Sequence, residues 1–132
     1  MIVNWKRITP YPQEVLVTSN QYTNLPMAGT FNKQRDDTFL FLMLNMDYVP
    51  STSIPTFIAM TVNGSIVLSV ADASGYPGWI ETNSMSELYL QPLPSGPHQI
   101  GLQAAVGYGG SAMFRLQVCS YTVFEVLLPQ SL

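Results

Sequence analysis

The sequence predicts an all-β protein, and two features of the chain carry that prediction. No segment keeps apolar residues at the i, i+3, i+4, i+7 spacing of an amphipathic helix over three turns. Short apolar runs instead alternate with turn residues, and the 132 residues include 10 Pro and 9 Gly. The runs amount to about eight to ten strands, which favours a sandwich of two antiparallel sheets.

The first third of the chain divides into an arm and the start of one domain. Residues 1–12 are predicted to form an extended N-terminal arm, because two prolines near its end fix an extended backbone. Residues 13–132 form the single domain that this length allows. Its first strand is expected in Gln13–Ser19, where apolar residues alternate, and its second in Met27–Asn32.

Thr38–Met46 is the strongest strand signal in the chain, and it is apolar on both faces. A strand with one face in water alternates apolar with polar residues, so this strand needs burial twice. One face meets the domain core; a second subunit or a covering loop meets the other. We expect the subunit contact to involve this strand and the closing strand, through Phe39, Phe41, Met43 and Phe124 or through the opposite face of Thr38–Met46.

Turn signals divide the remaining strands. Asn63-Gly64 predicts a tight hairpin between Thr56–Val62 and Ser65–Val70, because both turn positions require a positive φ. Two short strands are expected at Trp79–Thr82 and Glu87–Leu90. Three longer strands close the domain, and the period-two pattern of the first two places one apolar set of each on a single face. These sets are His98, Ile100, Leu102, Ala104 and Val106, then Ala112, Phe114, Leu116 and Val118. The last strand, Tyr121–Leu128, is apolar on both faces except for Glu125.

Composition limits the classes of partner. Hydrophobic residues make up 47% of the chain and charged residues only 10%, so other copies of the chain are expected to cover part of its surface. Five Lys and Arg within a net charge of −3 form no basic patch, which excludes nucleic acid. No apolar run reaches about 18 residues, so no membrane span is expected. The N-terminus lacks the pattern of a signal peptide, which predicts synthesis in the cytoplasm.

Reactive side chains are few and scattered, so we expect no enzyme, no cofactor and no metal. His98 is the only histidine, and its position in a strand favours a packed or rim residue over a catalytic or metal-binding one. Asp36, Asp37 and Asp47 lack the spacing of a calcium loop and are better explained as a solvated loop. Cys119 is the single cysteine and is predicted to be a small buried hydrophobe.

Several segments resemble a known family. The turn Leu93–Gly96, the strand starting His98-x-Ile100-x-Leu102 and the closing segment Thr122–Val126 resemble the end of small jelly-roll domains found in phage virions. Those domains look like the trimeric tumour-necrosis-factor-like β-sandwich, and the resemblance extends over residues 13–128. It implies a jelly-roll fold, a homotrimer and a place on the virion exterior.

Two functions follow from this resemblance as expectations. The first is a capsid decoration or cementing protein of the virion, which would contact the major capsid protein or another virion protein through the arm. The second is a receptor- or glycan-binding tip of a tail or head fibre, which would hold a host-surface glycan through loop aromatics. The arm residues are Ile2, Val3, Trp5, Lys6 and Arg7, and the aromatic loop residues are Tyr76, Trp79 and Tyr108.

Overall fold

The computed structural model describes residues 1–72 and 76–129, which fold into two packed antiparallel sheets. Residues 73–75 of the expected ligand loop and 130–132 of the expected domain lie outside the described residues. The strands are β1 (Ile2–Ile8), β2 (Glu14–Val17), β3 (Thr23–Asn24), β4 (Gly29–Lys33), β5 (Phe39–Pro50), β6 (Thr56–Val62), β7 (Ser65–Asp72), β8 (Glu81–Tyr89), β9 (Gly96–Val106), β10 (Ala112–Arg115) and β11 (Ser120–Val126).

The strands occupy eight rows, four in each sheet. In sheet A, β8 pairs with β5, β5 pairs with both β11 and β10, and these pair with β1 and β2 respectively. In sheet B the order is β7, β6, β9, and then β3 and β4 in line along the far edge of β9. The chain changes sheet after every row except at the β6–β7 hairpin. This winding is a jelly roll, so the predicted fold class is confirmed.

The core forms where the inner faces of the two sheets meet, as the period-two patterns predicted. On β5, Leu40, Leu42 and Leu44 are buried, whereas Phe39 and Phe41 are half-buried and Met43 is exposed. All five residues of the set predicted on one face of β9 are buried. Asn63 and Gly64 both adopt a positive φ, and they connect β6 to β7 as expected. Within the described residues no helix has the length and hydropathy needed to cross a membrane.

The N-terminal segment is part of the sandwich, which differs from the expectation of an arm that precedes the domain. Residues 2–8 form the edge strand β1, which pairs with β11 from Ile2↔Val126 to Ile8↔Tyr121. The side chain of Ile8 is buried in the core. A bulge between Ile2 and Asn4 interrupts the alternation of side chains, which explains why the segment lacks the period-two pattern of a strand.

Two other elements differ from the expectation. Two short strands were expected at Trp79–Thr82 and Glu87–Leu90, but Glu81–Tyr89 forms one continuous strand, β8. The polar residues at its centre face outward beside β5. Between β10 and β11 the chain forms a short 3-10 turn, Leu116–Val118. This turn breaks the alternation, so Val118 is exposed rather than inward, while Leu116 stays in the core.

A buried carboxylate ties the loop between β4 and β5 to the closing strand. Glu125 is fully buried, and its Oε1 accepts a hydrogen bond from the backbone N–H of Gln34 (2.8 Å). Its Oε2 accepts from the backbone N–H of Arg35 (3.0 Å) and from the hydroxyl of Thr38 (2.6 Å). Three donors therefore compensate the cost of removing this charge from water.

Replacing Glu125 by alanine should destabilise the fold strongly, because it leaves the three donors without their acceptor. We expect Glu125→Ala to lower the free energy of unfolding by about 3 kcal/mol. The matched control is Glu14→Ala on the exposed side of β2, which should change it by less than about 0.5 kcal/mol. Urea denaturation of both variants measures the difference, and equal midpoints would contradict the role given to Glu125.

Candidate functional site

The outer face of sheet A carries a continuous set of apolar side chains, which we call the apolar face. Its members come from four neighbouring strands and point away from the core. Cross-strand partners lie on the same side of a sheet, so the pairing register assigns each member to this face. The members are Ile2 and Trp5 on β1, Val126 and Phe124 on β11, Phe39, Phe41 and Met43 on β5, and Leu88 on β8.

One complete row of this face runs across all four strands. Trp5 pairs with Phe124, Phe124 with Phe41, and Phe41 with Leu88. The rings of Phe41 and Phe124 lie 6.4 Å apart between centroids, tilted by 42°. At such a separation two aromatic rings still attract each other. Trp5 stands at the edge of the row with 61% of its surface exposed, so it offers contact area to another molecule.

The same outer face becomes polar toward the C-terminal end of β5. The amide of Asn45 donates to the Ser120 hydroxyl (3.2 Å) and accepts from the Ser84 hydroxyl (2.6 Å). One row further, the Asp47 carboxylate accepts from the Thr82 hydroxyl at 2.8 Å. This polar ladder separates the apolar face from a smaller apolar row nearer the end of β5, formed by Val49, Met113 and Leu16.

The structure therefore brings together residues that the sequence assigned to two different roles. Phe39, Phe41, Met43 and Phe124 were expected at a subunit interface, and all four lie on the apolar face. Of the expected arm residues, Ile2 and Trp5 lie on the same face. Lys6 turns toward sheet B, where its Nζ donates to the backbone oxygen of Thr30 at 2.8 Å. Val3 is half-buried and Arg7 is exposed.

A second candidate site lies at one end of the sandwich, where two turns display aromatic side chains. Tyr76-Pro77-Gly78-Trp79 closes through a hydrogen bond from the N–H of Trp79 to the oxygen of Tyr76 (3.1 Å), with Gly78 at φ 80°. The segment from Gly107 to Gly110 closes in the same way at 2.9 Å, with Gly109 at φ 79°. Both are type II turns, in which the third residue needs a positive φ.

One turn is fixed to the end of β5 and the other to the segment that joins β5 to β6. The N–H of Gly78 donates to the oxygen of Pro50 (2.8 Å), and the N–H of Gly107 donates to the oxygen of Pro55 (2.9 Å). Gly107 packs so closely on Ile54 that an added Cβ would lie 2.3 Å from its Cγ2 atom. The three predicted loop aromatics are therefore presented by anchored turns at the same end of the molecule, which we call the loop end.

A polar cluster supports the loop end from below. The hydroxyl of Tyr48 donates to the carboxylate of Asp72 and accepts from the amide of Asn83 at 3.3 Å. This links β5 and β8 of sheet A to β7 of sheet B. Burial, together with the hydrogen bond to Asp72, raises the pKa of Tyr48 far above its ordinary value, so the hydroxyl keeps its proton.

The isolated acidic residues and the histidine have structural partners. The N–H of Ser95 donates to Asp36 (2.7 Å) and holds the pKa of this carboxyl below its ordinary value. The Arg35 guanidinium binds Asp37 through two hydrogen bonds and lowers its pKa likewise. His98 is buried between the amide of Asn63 (3.0 Å) and the oxygen of Pro94 (2.7 Å), as a packed histidine. Across residues 1–72 and 76–129, no His, Cys, Asp and Glu side chains gather as a metal site.

Cys119 is buried in the core, as predicted, and burial raises the pKa of its thiol.

Sequence reasoning missed two members of the apolar face, Leu88 and Val126. The sequence contained a signal for Leu88, because the alternation of a strand places Leu88 on the same face of β8 as the outward-facing Ser86. Only the register of β11 against β5 shows that Val126 stands beside Phe39.

The comparisons with known proteins bear on the fold. No family model matches the sequence, and no curated protein matches it. The chain is similar to the insecticidal delta-endotoxin Cry8Ea1 from Bacillus thuringiensis (TM-score 0.51, 9% identity), with 86% of this chain covered but only 19% of the toxin. It is also similar to the carbohydrate-binding module CBM36 in complex with calcium and xylotriose (TM-score 0.49, 12% identity, 92% and 93% covered). At these identities the likeness concerns the fold alone.

The contact between Gly107 and Ile54 can be tested without altering any turn that needs a positive φ. We expect Gly107→Ala to lower the free energy of unfolding by about 1–2 kcal/mol, because the new methyl group collides with a branched side chain that has little freedom to move. Combining it with Ile54→Ala should cost less than the sum of the two single changes. Urea denaturation of the four proteins in this double-mutant cycle measures their free energies of unfolding. Strictly additive changes in these free energies would show that the contact does not hold the turn.

Proposed function

We propose that this chain is a virion structural protein: a homotrimeric jelly roll that decorates the outside of a phage capsid. The observation that carries this proposal is the apolar face on sheet A. The resemblance of the C-terminal third to small phage jelly-roll domains supports the virion location and the threefold assembly.

The apolar face is poorly suited to contact with water. Ile2 is 57% exposed, Trp5 61% and Met43 43%, and half-buried aromatic rings lie between them. Each Å² of apolar surface removed from water contributes about 25 cal/mol. Monomeric soluble proteins rarely expose a contiguous patch larger than a few hundred Å². A partner that covers this face therefore lowers the free energy of the assembly.

A second copy of the chain is the partner that suits this face best. The eight apolar members of the face carry no charge. At its border, Arg7 on the edge strand pairs with Thr122, which pairs with Met43. Closed symmetry is the usual outcome of such self-association. Three copies placed at a threefold position of a capsid would each present the same surface to one shell subunit. Three weak contacts then act together as one strong attachment.

In this arrangement the residues of the expected capsid-contacting arm have different roles. Ile2 and Trp5 belong to the apolar face, so we assign them to contacts between subunits. Arg7 is exposed on the edge strand β1 and is the residue of this segment best placed to reach a shell protein. Val3 lies on the same strand but is half-buried, and the Nζ of Lys6 donates to Thr30 in sheet B.

A negative charge on the apolar face should block assembly, because association would bury an unpaired carboxylate. We expect the protein to have three times its 14.6 kDa chain mass in light scattering coupled to gel filtration, and Met43→Asp to have the mass of one chain. The matched control is Ile66→Asp on β7, since Ile66 is 45% exposed and Met43 43%. The control should remain trimeric.

Two outcomes would overturn the assignment of this face. One is a single-chain mass for the unaltered protein at micromolar concentration. The other is a trimer of Met43→Asp with an unchanged melting temperature.

The capsid attachment is tested by a pull-down against capsid shells and host cells side by side. We expect the unaltered protein to bind shells, and Arg7→Ala to bind them several-fold more weakly. Arg35→Ala removes another exposed positive charge, in the loop before β5, and should bind as well as the unaltered protein. Binding to host cells without binding to shells would replace the decoration role by that of a fibre tip.

A further inference from the structure

We propose that the loop end holds a glycan-binding site, and that it accepts one neutral pyranose ring in the cleft between Tyr76 and Trp79. These two side chains line a cleft of about 180 Å³. Binding of a sugar here is independent of the decoration role, because the cleft lies wholly within one chain.

The exposure of the loop aromatics is the first observation that supports this site. Tyr76 is 71% exposed, Trp79 is 72% exposed and Tyr108 is 89% exposed. At these exposures none of the three rings covers the end of a neighbouring strand. Aromatic rings that serve the stability of a fold are mostly buried. Three rings held in water at the same end of the molecule are instead available for a ligand.

The turn geometry fixes the backbone that carries the two rings of the cleft. Tyr76 and Trp79 are the first and fourth residues of a type II turn, which places their Cα atoms within about 7 Å of each other. Pro77 is the second residue of the turn, where its ring fixes φ, and the N–H of Gly78 donates to the oxygen of Pro50 at the end of β5. Little backbone entropy is therefore lost when a ligand enters, which favours binding to a small molecule.

The chemistry of the cleft suits a sugar ring. A pyranose has an apolar face of C–H bonds that stacks on an aromatic ring, and hydroxyl groups at its edge that need hydrogen bonds. Trp79 offers the larger stacking surface, and Tyr76 offers a ring with a hydroxyl that both donates and accepts. Tyr108 stands on the neighbouring turn at the same end of the molecule, exposed to solvent.

The charges near the cleft favour a neutral glycan over an acidic one. The carboxylate of Glu81 accepts a hydrogen bond from the backbone N–H of Tyr76 at 3.4 Å, and Asp72 lies behind the turn on Tyr48. Among the described residues, no Lys or Arg belongs to the loop end. A sialic acid or a sulfated sugar would meet negative charge without a cation to pair with it.

The test uses the full chain and soluble sugars, titrated by calorimetry and by saturation-transfer NMR. The probes are neutral trisaccharides of glucose, galactose, mannose and N-acetylglucosamine, with lactose and sialyllactose as a neutral and acidic pair. We expect at least one neutral probe to bind with a Kd of about 1 mM or tighter. Trp79→Ala should weaken this binding about tenfold, and Gly78→Ala should weaken it by removing the turn that orients the rings.

The control is Ile66→Ala, which removes another exposed apolar side chain, on β7 outside both the apolar face and the loop end, and should leave the Kd within about twofold. Because the cleft lies within one chain, soluble probes should bind it whether or not the subunits associate, so a failure of the glycan site is distinguishable from a failure of subunit association. Three results would overturn the glycan site: no neutral probe binds, Trp79→Ala binds as the unaltered chain does, or sialyllactose binds more tightly than lactose.

Discussion

Strand β5 must bury apolar side chains on both of its faces, and this requirement governs the rest of the molecule. Leu40, Leu42 and Leu44 fill the core between the sheets. Phe39 and Phe41 point the other way, where a sandwich of two layers provides no third layer to cover them. The strands β1, β11 and β8 place apolar residues beside these two phenylalanines. The outer face of sheet A thus exposes apolar side chains, among them Trp5 and Met43.

The length of β5 separates that surface from the loop end. Phe41 lies near the start of the strand and Pro50 at its end, nine residues away, which corresponds to about 30 Å in an extended chain. The polar ladder around Asn45 lies between them. Subunits that associate through the apolar face therefore leave the anchored turns in water. An interface that assembles copies and a surface that meets a ligand can coexist on one small domain.

Much of the fold was predictable from local pattern, because the alternation in β5 and β9 and the Asn63-Gly64 turn depend only on nearby residues. The missing parts depend on distant pairing. β1 becomes a strand because β11 lacks a second neighbour, although the bulge at its start hides the pattern. Apart from Leu88, β8 is polar along its outer side, and it pairs with β5 over its whole length. For the same reason the sequence alone could suggest Phe124, a large aromatic residue, for the interface, whereas Val126 is recognised only from its pairing with Phe39.

The buried carboxylate of Glu125 explains how this register is held. Its oxygens bind Gln34, Arg35 and the Thr38 hydroxyl, so the last residue before β5 is fixed to β11. From that point Phe39 pairs with Val126 and Phe41 with Phe124. A slip of one residue would turn the phenylalanines into the core and the leucines outward. Apolar residues on both faces of β5 would tolerate such a slip better than an alternating strand would. A polar contact at the start of the strand therefore supplies the specificity that hydrophobic burial cannot.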